Sequence, residues 1–392
     1  MVHLSGRQPA RTERRTIENY AFATFAECGR KIAGLRIFAW LDEPFPAVQK
    51  SVHHQRWSRT IRFRERLTTA AALAEHGKRS EWMMRRNGGP AGMSDIHLVG
   101  VVGAGRMGAG IAEVCVRSDL EVLVCEETGQ AAEAGRRRIL ASMERAVHRG
   151  RLSRRERDRA AWRLRFTTDL GDMADRQLVI EAVSENELLK REVFAALDKV
   201  VVDPAAILAS TTSTIPIMKL GTATSRASHV LGLHFLNPAP VMPLVEVAPS
   251  LLTSALVRDR VESFATRVLG KRVVRSTDRV GFVVNSLLVP YLLAAVRMVE
   301  SGITDAQDVD AAMTLGCAHP LGPLALADLI GLDILAAMAE SMYTELRDPQ
   351  YAPPPLLLRM VDAGLLGRKS GRGFHPYPGS TDYDYAEEGL SA

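Results

Sequence analysis

What most constrains this chain is a glycine turn set between an apolar strand pattern and an apolar helix pattern. IHLVGVV at 96–102 is a continuous apolar run of strand length, GAGRMG follows at 103–108, and AGIAEVCVR at 109–117 repeats apolar residues at helical spacing. EVLVCE at 121–126 is then a second strand that ends on an acid. Gly103 permits the tight turn, Gly105 lets the backbone approach a pyrophosphate, and Gly108 allows close helix–strand packing. Arg106 and Met107 open the helix, where unpaired N–H groups and the positive dipole end attract phosphate. Glu126 stands 23 residues after Gly103, close to the spacing of about 20 at which an acid binds the ribose hydroxyls of a dinucleotide. A carboxylate there repels a 2′-phosphate, so the cofactor expected is NAD rather than NADP.

Strand and helix patterns keep alternating. GQAAEAGRRRILASMERAVHRG (129–150) is a long amphipathic helix, RLSRRERDRAAWRL (151–164) a charged helical excursion, and QLVIEAV (177–183) a strand buried on both faces. NELLKREVFAALDKVV (186–201) carries Leu188, Leu189, Val193, Phe194 and Leu197 along one helical face. AAILAST, HVLGLHFL, LVEVA and KRVVRS supply further strands. The expected fold is α/β: a Rossmann-type doubly wound dinucleotide-binding domain over 94–277, followed by an all-α domain over 278–378 and a short tail at 379–392. In the α domain, FVVNSLLVPYLLAAVRMVESG is a helix closed by Gly302, and Thr304 is the expected N-cap of DAQDVDAAMTLG. GPLALADLIGLDILAAMAESMYTEL is apolar over too wide an arc to face water and is expected to bury against a partner domain or second subunit.

Residues 1–93 differ from the rest. They hold 17 Lys and Arg against 8 Asp and Glu, three of the four tryptophans and no sustained period, whereas the remaining residues hold 33 against 37. The basic excess of +5 over the chain therefore belongs to this extension, and the body offers no bulk charge for nucleic acid. The extension reads as unstructured, or as a start placed upstream of Met93, with RRNGGPAGM as its linker; acidic residues interrupt it too often for a targeting peptide. The longest apolar stretch, Phe282–Val299, contains Asn285, Pro290 and Arg297, which suits a buried helix and no membrane span. Four cysteines without a CxxC pair or ligand cluster imply no metal site and fit a reducing cytoplasm.

The segments VVGAGRMGAGIAEV, EAVSENELLKREVFAALD, LASTTSTIPI, GLHFLNPAPVMPLVEV, GFVVNSLLVPYL, HPLGPLALADLIGLD and GRKSGRGF resemble, in the right order from Ile96 to Phe374, those of the short-chain L-3-hydroxyacyl-CoA dehydrogenase family. That family includes 3-hydroxybutyryl-CoA dehydrogenases. The resemblance implies NAD-dependent oxidation of a 3-hydroxyacyl-CoA, or its reversal, in fatty-acid β-oxidation. It implies His234 as general base and Glu246 as the carboxylate that orients it. Ser213 is implied as the serine bonded to the substrate oxygen and Asn285 as completing the polar pocket. Glu185, Lys190, Ser213 and Asn237 match the cofactor side. It also implies a cytoplasmic homodimer joined through the C-terminal helices, with an acyl-CoA as its partner.

Elementary chemistry agrees with parts of this. Alcohol oxidation needs a base for the hydroxyl proton, and histidine titrates near working pH. Glu246 lies twelve residues after His234, and two strands around a Pro-rich turn can bring such a pair together. Asn285 in an apolar helix calls for a ligand, because a buried unpaired amide is costly. Ser213 alone could be an N-cap for TIPIMKL, and Lys190 alone a helix-surface charge. STTS at 210–213, DRVGF at 278–282 and Ser286 depart from common family residues, which leaves chain length and CoA contacts open. Arg136, Arg137 and Arg138 read as contacts to CoA phosphates or, for most of the run, as a solvated face. A dehydrogenase of a free hydroxy acid or sugar acid, resembling gulonate dehydrogenases, is the alternative enzyme; a non-catalytic dinucleotide-binding protein is the alternative of another class.

Overall fold

The computed structural model describes residues 96–378. The extension 1–93, with Cys28, and the tail 379–392 lie outside the described residues.

Eight strands form one sheet in the order β3-β2-β1-β4-β5-β6-β7-β8. The strands are β1 (Leu98–Val102), β2 (Glu121–Cys125), β3 (Leu164–Thr167), β4 (Leu178–Glu181), β5 (Ile207–Ser210), β6 (Val230–Phe235), β7 (Leu244–Pro249) and β8 (Arg272–Arg275). The first six run parallel, while β7 turns back antiparallel to β6 and β8 runs with β7. Helices α1 (Arg106–Arg117), α2 (Gly129–His148) and α3 (Arg154–Trp162) link the early strands, and α4 (Glu187–Val200), α5 (Ile217–Gly221) and α6 (Ala255–Ser263) the later ones. This is the expected doubly wound layout.

Side chains alternate across the strands, as the pleat demands. Leu178 and Ile180 of β4 join α1 and α6 residues such as Ile111 and Val261 in one core, while Val179 joins Leu189, Phe194 and Ile217 in the other. Each of these aliphatic side chains is essentially inaccessible, and full burial stabilises by about 1.5–3 kcal/mol apiece. Along α4 the inward face is Leu189, Lys190, Val193, Phe194 and Leu197. Leu188, expected inside, is 59% exposed, and a lysine occupies the interior beside it. β3 begins at Leu164, the last residue of the segment read as a charged helical excursion; α3 opens on a capping box of Ser153 and Glu156 and ends at Trp162.

The α domain contains α7 (Val284–Glu300), α8 (Ala306–Cys317), α9 (Pro323–Ile330), α10 (Leu332–Leu346) and α11 (Pro355–Asp362) around a third core that includes Val289, Leu324, Leu335 and Met342. The apolar stretch 322–346 is two helices, broken at Gly331. The N-cap of α8 is Asp305, not Thr304: its carboxylate accepts the Asp308 N–H, and Thr304 only donates to the Asp308 side chain. A carboxylate at the positive helix end wins over the neighbouring hydroxyl.

Candidate active site

The glycine turn leaves β1 at its carboxyl end. Gly103 has φ +95°, and a Cβ on it would lie 2.7 Å from the Ala182 carbonyl oxygen. A Cβ on Gly108 would lie 1.9 Å from the Gly103 carbonyl oxygen, so α1 can sit this close to β1 only with glycine there. Gly105 is the N-cap of α1 and a Cβ there would meet nothing within 4 Å. Open space thus faces the second glycine, and no acidic residue stands in the first turn of α1. Arg106 is exposed at the first helical position and Met107 packs its side chain against the core.

Glu126, just past β2, accepts the Ala104 N–H at 2.5 Å and the Glu127 N–H at 3.2 Å. Its carboxylate is thereby fixed over the turn. Arg138 of α2 donates to the Ala104 carbonyl from the other side, which removes it from a purely solvated role; Arg136 stacks over Phe166 and both Arg136 and Arg137 pair with Glu133. An open glycine turn with an acid beside it at the ribose position fits an adenine dinucleotide without a 2′-phosphate.

β6 and β7 place His234 directly opposite Glu246 in register. Directly opposed residues in an antiparallel pair share a face, and the side chains meet: His234 Nδ1 lies 2.7 Å from Glu246 Oε2. The histidine is 7% exposed and the glutamate 0%. Glu246 Oε1 accepts the Val283 and Val284 N–H groups, each at 2.9 Å, so one carboxylate holds both the ring and the start of α7. Burial alone would raise the Glu246 carboxyl, but the histidine contact and the two backbone donors outweigh it and hold it below the usual carboxylate range. Nε2 of His234 has no partner among the described residues. Phe282 packs its ring on the imidazole with centroids 5.5 Å apart.

Asn285 follows one residue after the Val284 contact, 9% exposed, on the inner face of α7. No hydrogen bond engages its amide among the described residues. Ser213 lies in the loop after β5, half-buried, with its hydroxyl likewise unengaged among the described residues. It is not the cap of α5, which begins after Pro216. Gly281, on the approach to α7, donates to the Ser213 carbonyl at 2.9 Å. The structure therefore joins His234, Glu246, Asn285 and Ser213 through one short segment, 281–285.

Glu185 is fastened to that same loop. Its Oε1 accepts the Ser213 and Thr214 N–H groups at 3.2 Å each, the Thr214 hydroxyl at 2.7 Å, and the Thr212 hydroxyl. Desolvation opposes ionisation, yet Lys190 and the two threonine hydroxyls overcome it and lower the Glu185 carboxyl to about 2. Lys190 is no surface charge: it is 1% exposed, 2.7 Å from Glu181 Oε1 and 3.3 Å from Glu185 Oε2. Desolvation pulls its pKa down, and the two carboxylates more than reverse that. Glu181 itself is fully buried and also accepts the Ser210 hydroxyl and the Val183 N–H, both at 2.7 Å. Sequence reasoning missed Glu181, though an acid inside the apolar run QLVIEAV was a visible signal. Asn237 is exposed in the turn between β6 and β7 and precedes a cis Pro238. That turn packs on α1, with Ala239 and Pro240 against Gly110, and Lys271 donates to the Ala239 and Met242 carbonyls. Among the described residues no group of three or more His, Cys, Asp or Glu is placed to hold a metal ion.

Comparison with known proteins bears on this site. The family described as 3-hydroxyacyl-CoA dehydrogenase, NAD binding domain, matches residues 98–279, and the one described as 3-hydroxyacyl-CoA dehydrogenase, C-terminal domain, matches 281–377. A 3-hydroxybutyryl-CoA dehydrogenase of Mycobacterium tuberculosis is 59% identical over 286 residues, 73% of this chain and 100% of that protein. The crystal structure of M. tuberculosis FadB2 superposes with a TM-score of 0.71 at 59% identity, covering 72% of this chain and 99% of the other. The (S)-3-hydroxybutyryl-CoA dehydrogenase PaaH1 of Ralstonia eutropha gives a TM-score of 0.69 at 41% identity, covering 72% and 99%.

Proposed function

This chain belongs to the 3-hydroxyacyl-CoA dehydrogenase family, and on that premise we propose that it interconverts a short-chain L-3-hydroxyacyl-CoA and its 3-ketoacyl-CoA with His234 as the general base. It is an NAD-dependent oxidoreductase with a Rossmann-like domain and a helical C-terminal domain. The observation that carries the reading of the site is the buried His234–Glu246 pair at 2.7 Å, linked through the segment 281–285 to Ser213 and Asn285, whose side chains have no hydrogen-bond partner among the described residues.

When bound, NAD supplies the hydride acceptor for the carbinol carbon. Gly103, Gly105, Arg106, Met107 and Gly108 would hold its pyrophosphate and Glu126 would accept hydrogen bonds from its ribose hydroxyls. The chain's own work is with the proton. Glu246 takes the Nδ1 proton as a hydrogen bond, which leaves Nε2 as the lone pair that accepts the substrate hydroxyl proton. The imidazolium so formed stands against an ionised carboxylate. Ser213 donates to the substrate oxygen and Asn285 steadies the carbonyl side. In reduction the same Nε2 returns its proton to the carbonyl oxygen. Glu185, Lys190 and Asn237 shape the nicotinamide side, Glu185 through its hold on the Ser213 loop and Lys190 through Glu185.

The 3-hydroxybutyryl-CoA dehydrogenases at 59% and 41% identity support a four-carbon thioester as substrate and a place in β-oxidation chemistry. Exposed apolar residues on the helical domain, Leu287 (71%) on α7 and Leu315 (86%) on α8 among them, support a homodimer through these helices. No helix of the described residues is long and apolar enough to cross a membrane. The free thiols of Cys115, Cys125 and Cys317 support a cytoplasmic setting. NADH consumption with acetoacetyl-CoA, compared with free acetoacetate and a keto sugar acid, tests the reading. Faster turnover of a free acid overturns the thioester assignment, and no turnover of any of them favours a binding protein without activity.

A further inference from the structure

The segment from Asp278 to Asn285 carries Asn285 and touches Ser213, His234 and Glu246. Gly281 N–H holds the Ser213 carbonyl, Phe282 packs on His234, and Val283 and Val284 bind Glu246. Phe282 makes its contact from φ +43°, a left-handed conformation that a bulky side chain keeps only when its surroundings enforce it. One more anchor lies at the start of the segment. Asp278 Oδ1 accepts the Ile217 N–H at 2.6 Å and Oδ2 accepts the Met218 N–H at 2.7 Å. No cation is paired with this carboxylate among the described residues, so its visible work is on these two backbone groups.

The consequence is a bracket around the serine loop. On one side Glu185 accepts the Ser213 and Thr214 N–H groups. On the other side, Gly281 grips the Ser213 carbonyl and Asp278 grips residues 217 and 218. Two residues of the segment, Asp278 and Gly281, thus hold the stretch 213–218 at its two ends. Without Asp278 the far point is lost, and the loop is tied to the segment by the single Gly281 bond.

We propose that Asp278 is a positioning residue, which sets the Ser213 hydroxyl against His234 by bracing the 213–218 loop on the segment that also carries the Phe282, Glu246 and Asn285 contacts. The inference rests on the reading of Ser213 and His234 as the reacting groups. Asp278 lies outside the glycine turn that holds the pyrophosphate, so its loss acts on turnover far more than on NADH affinity.

The test is a double-mutant cycle on the full chain, with turnover of acetoacetyl-CoA expressed per NADH-binding site. Asp278→Ala lowers kcat on the order of 10- to 100-fold, the scale of losing hydrogen bonds to a charged acceptor, and changes the NADH Kd far less than kcat. Asp278→Asn falls between, because its carbonyl can still accept one of the two N–H groups. In a Ser213→Ala background the Asp278 substitution costs no more than about twofold further, because no hydroxyl remains to be misplaced. If Asp278→Ala does not fold, Asp278→Asn is carried through the same cycle. Wild-type kcat in the single variant, or penalties that simply multiply in the double, overturns the inference. Turnover that survives His234→Gln overturns the catalytic reading and this inference with it, whereas turnover that survives only the Asp278 change leaves that reading standing.

Discussion

Replacing Glu246 by glutamine separates the orientation of the base from the integrity of the fold. The carboxylate has two tasks on two oxygens: Oε2 faces His234 Nδ1 at 2.7 Å, and Oε1 accepts two backbone N–H groups at the start of α7. A glutamine keeps its carbonyl on the backbone donors, which leaves its NH2 against the ring. Nδ1 must then accept, the ring proton moves to Nε2, and the base can no longer take the substrate proton. In a buried His–carboxylate pair the wrong tautomer costs about 10⁴-fold in kcat, or about 5.4 kcal/mol at 1.36 kcal/mol per decade. NADH absorbance with acetoacetyl-CoA measures the loss, and NADH fluorescence titration checks that cofactor affinity stays near wild type. Glu246→Ala strands both backbone donors, at about 1–3 kcal/mol for each buried group left unpaired, and should lower stability as well. The depressed Glu246 pKa has a further sign: its contribution to stability is full above the ordinary carboxylate range and is lost as pH falls through the folded-state value. Glu246→Gln should therefore flatten the acid limb of the unfolding-temperature profile. Turnover within tenfold of wild type, with an unchanged pH–rate profile, would refute the orienting role.

Other substitutions probe the rest of the account. Glu126→Ala should narrow the preference for NAD over NADP by about tenfold or more, the scale of one charge-assisted contact, and equal catalytic efficiency with both cofactors in the unaltered protein would count against its ribose role. Gly108→Ala forces a Cβ to within 1.9 Å of the Gly103 carbonyl oxygen, so NADH affinity and thermal stability should fall together, by about 1–3 kcal/mol for overpacking; a variant with normal affinity would mean that the turn is not where the cofactor sits. A chain begun at Met93 should fold, run as a dimer in size measurement and keep full activity, and an insoluble or inactive product would place the earlier residues inside the working fold.

The parts legible in the sequence are those where backbone geometry leaves few choices of residue. The glycine turn was one, because Gly103 and Gly108 have no room for a side chain. The His234–Glu246 contact was another: the family resemblance paired the two residues, and two strands around a turn can set such a pair opposite each other, as β6 and β7 do. Lys190 was obscure for a physical reason: helical periodicity scores a lysine as outward, and its burial is made tolerable by Glu181 on β4 and Glu185 in the loop before α4. The same limit hid β3, four residues long with Arg165 exposed, and placed the cap of α8 one residue early. Asp278 gave no signal at all, since its partners Ile217 and Met218 lie about sixty positions away in sequence.

The most direct measurement is acetoacetyl-CoA-dependent NADH oxidation by the wild-type protein and by His234→Gln, side by side. The account predicts ready turnover for the first and a loss of about 10²–10⁴-fold for the second, the usual contribution of a positioned base, with the same NADH affinity in both. Comparable turnover by the two proteins would contradict it.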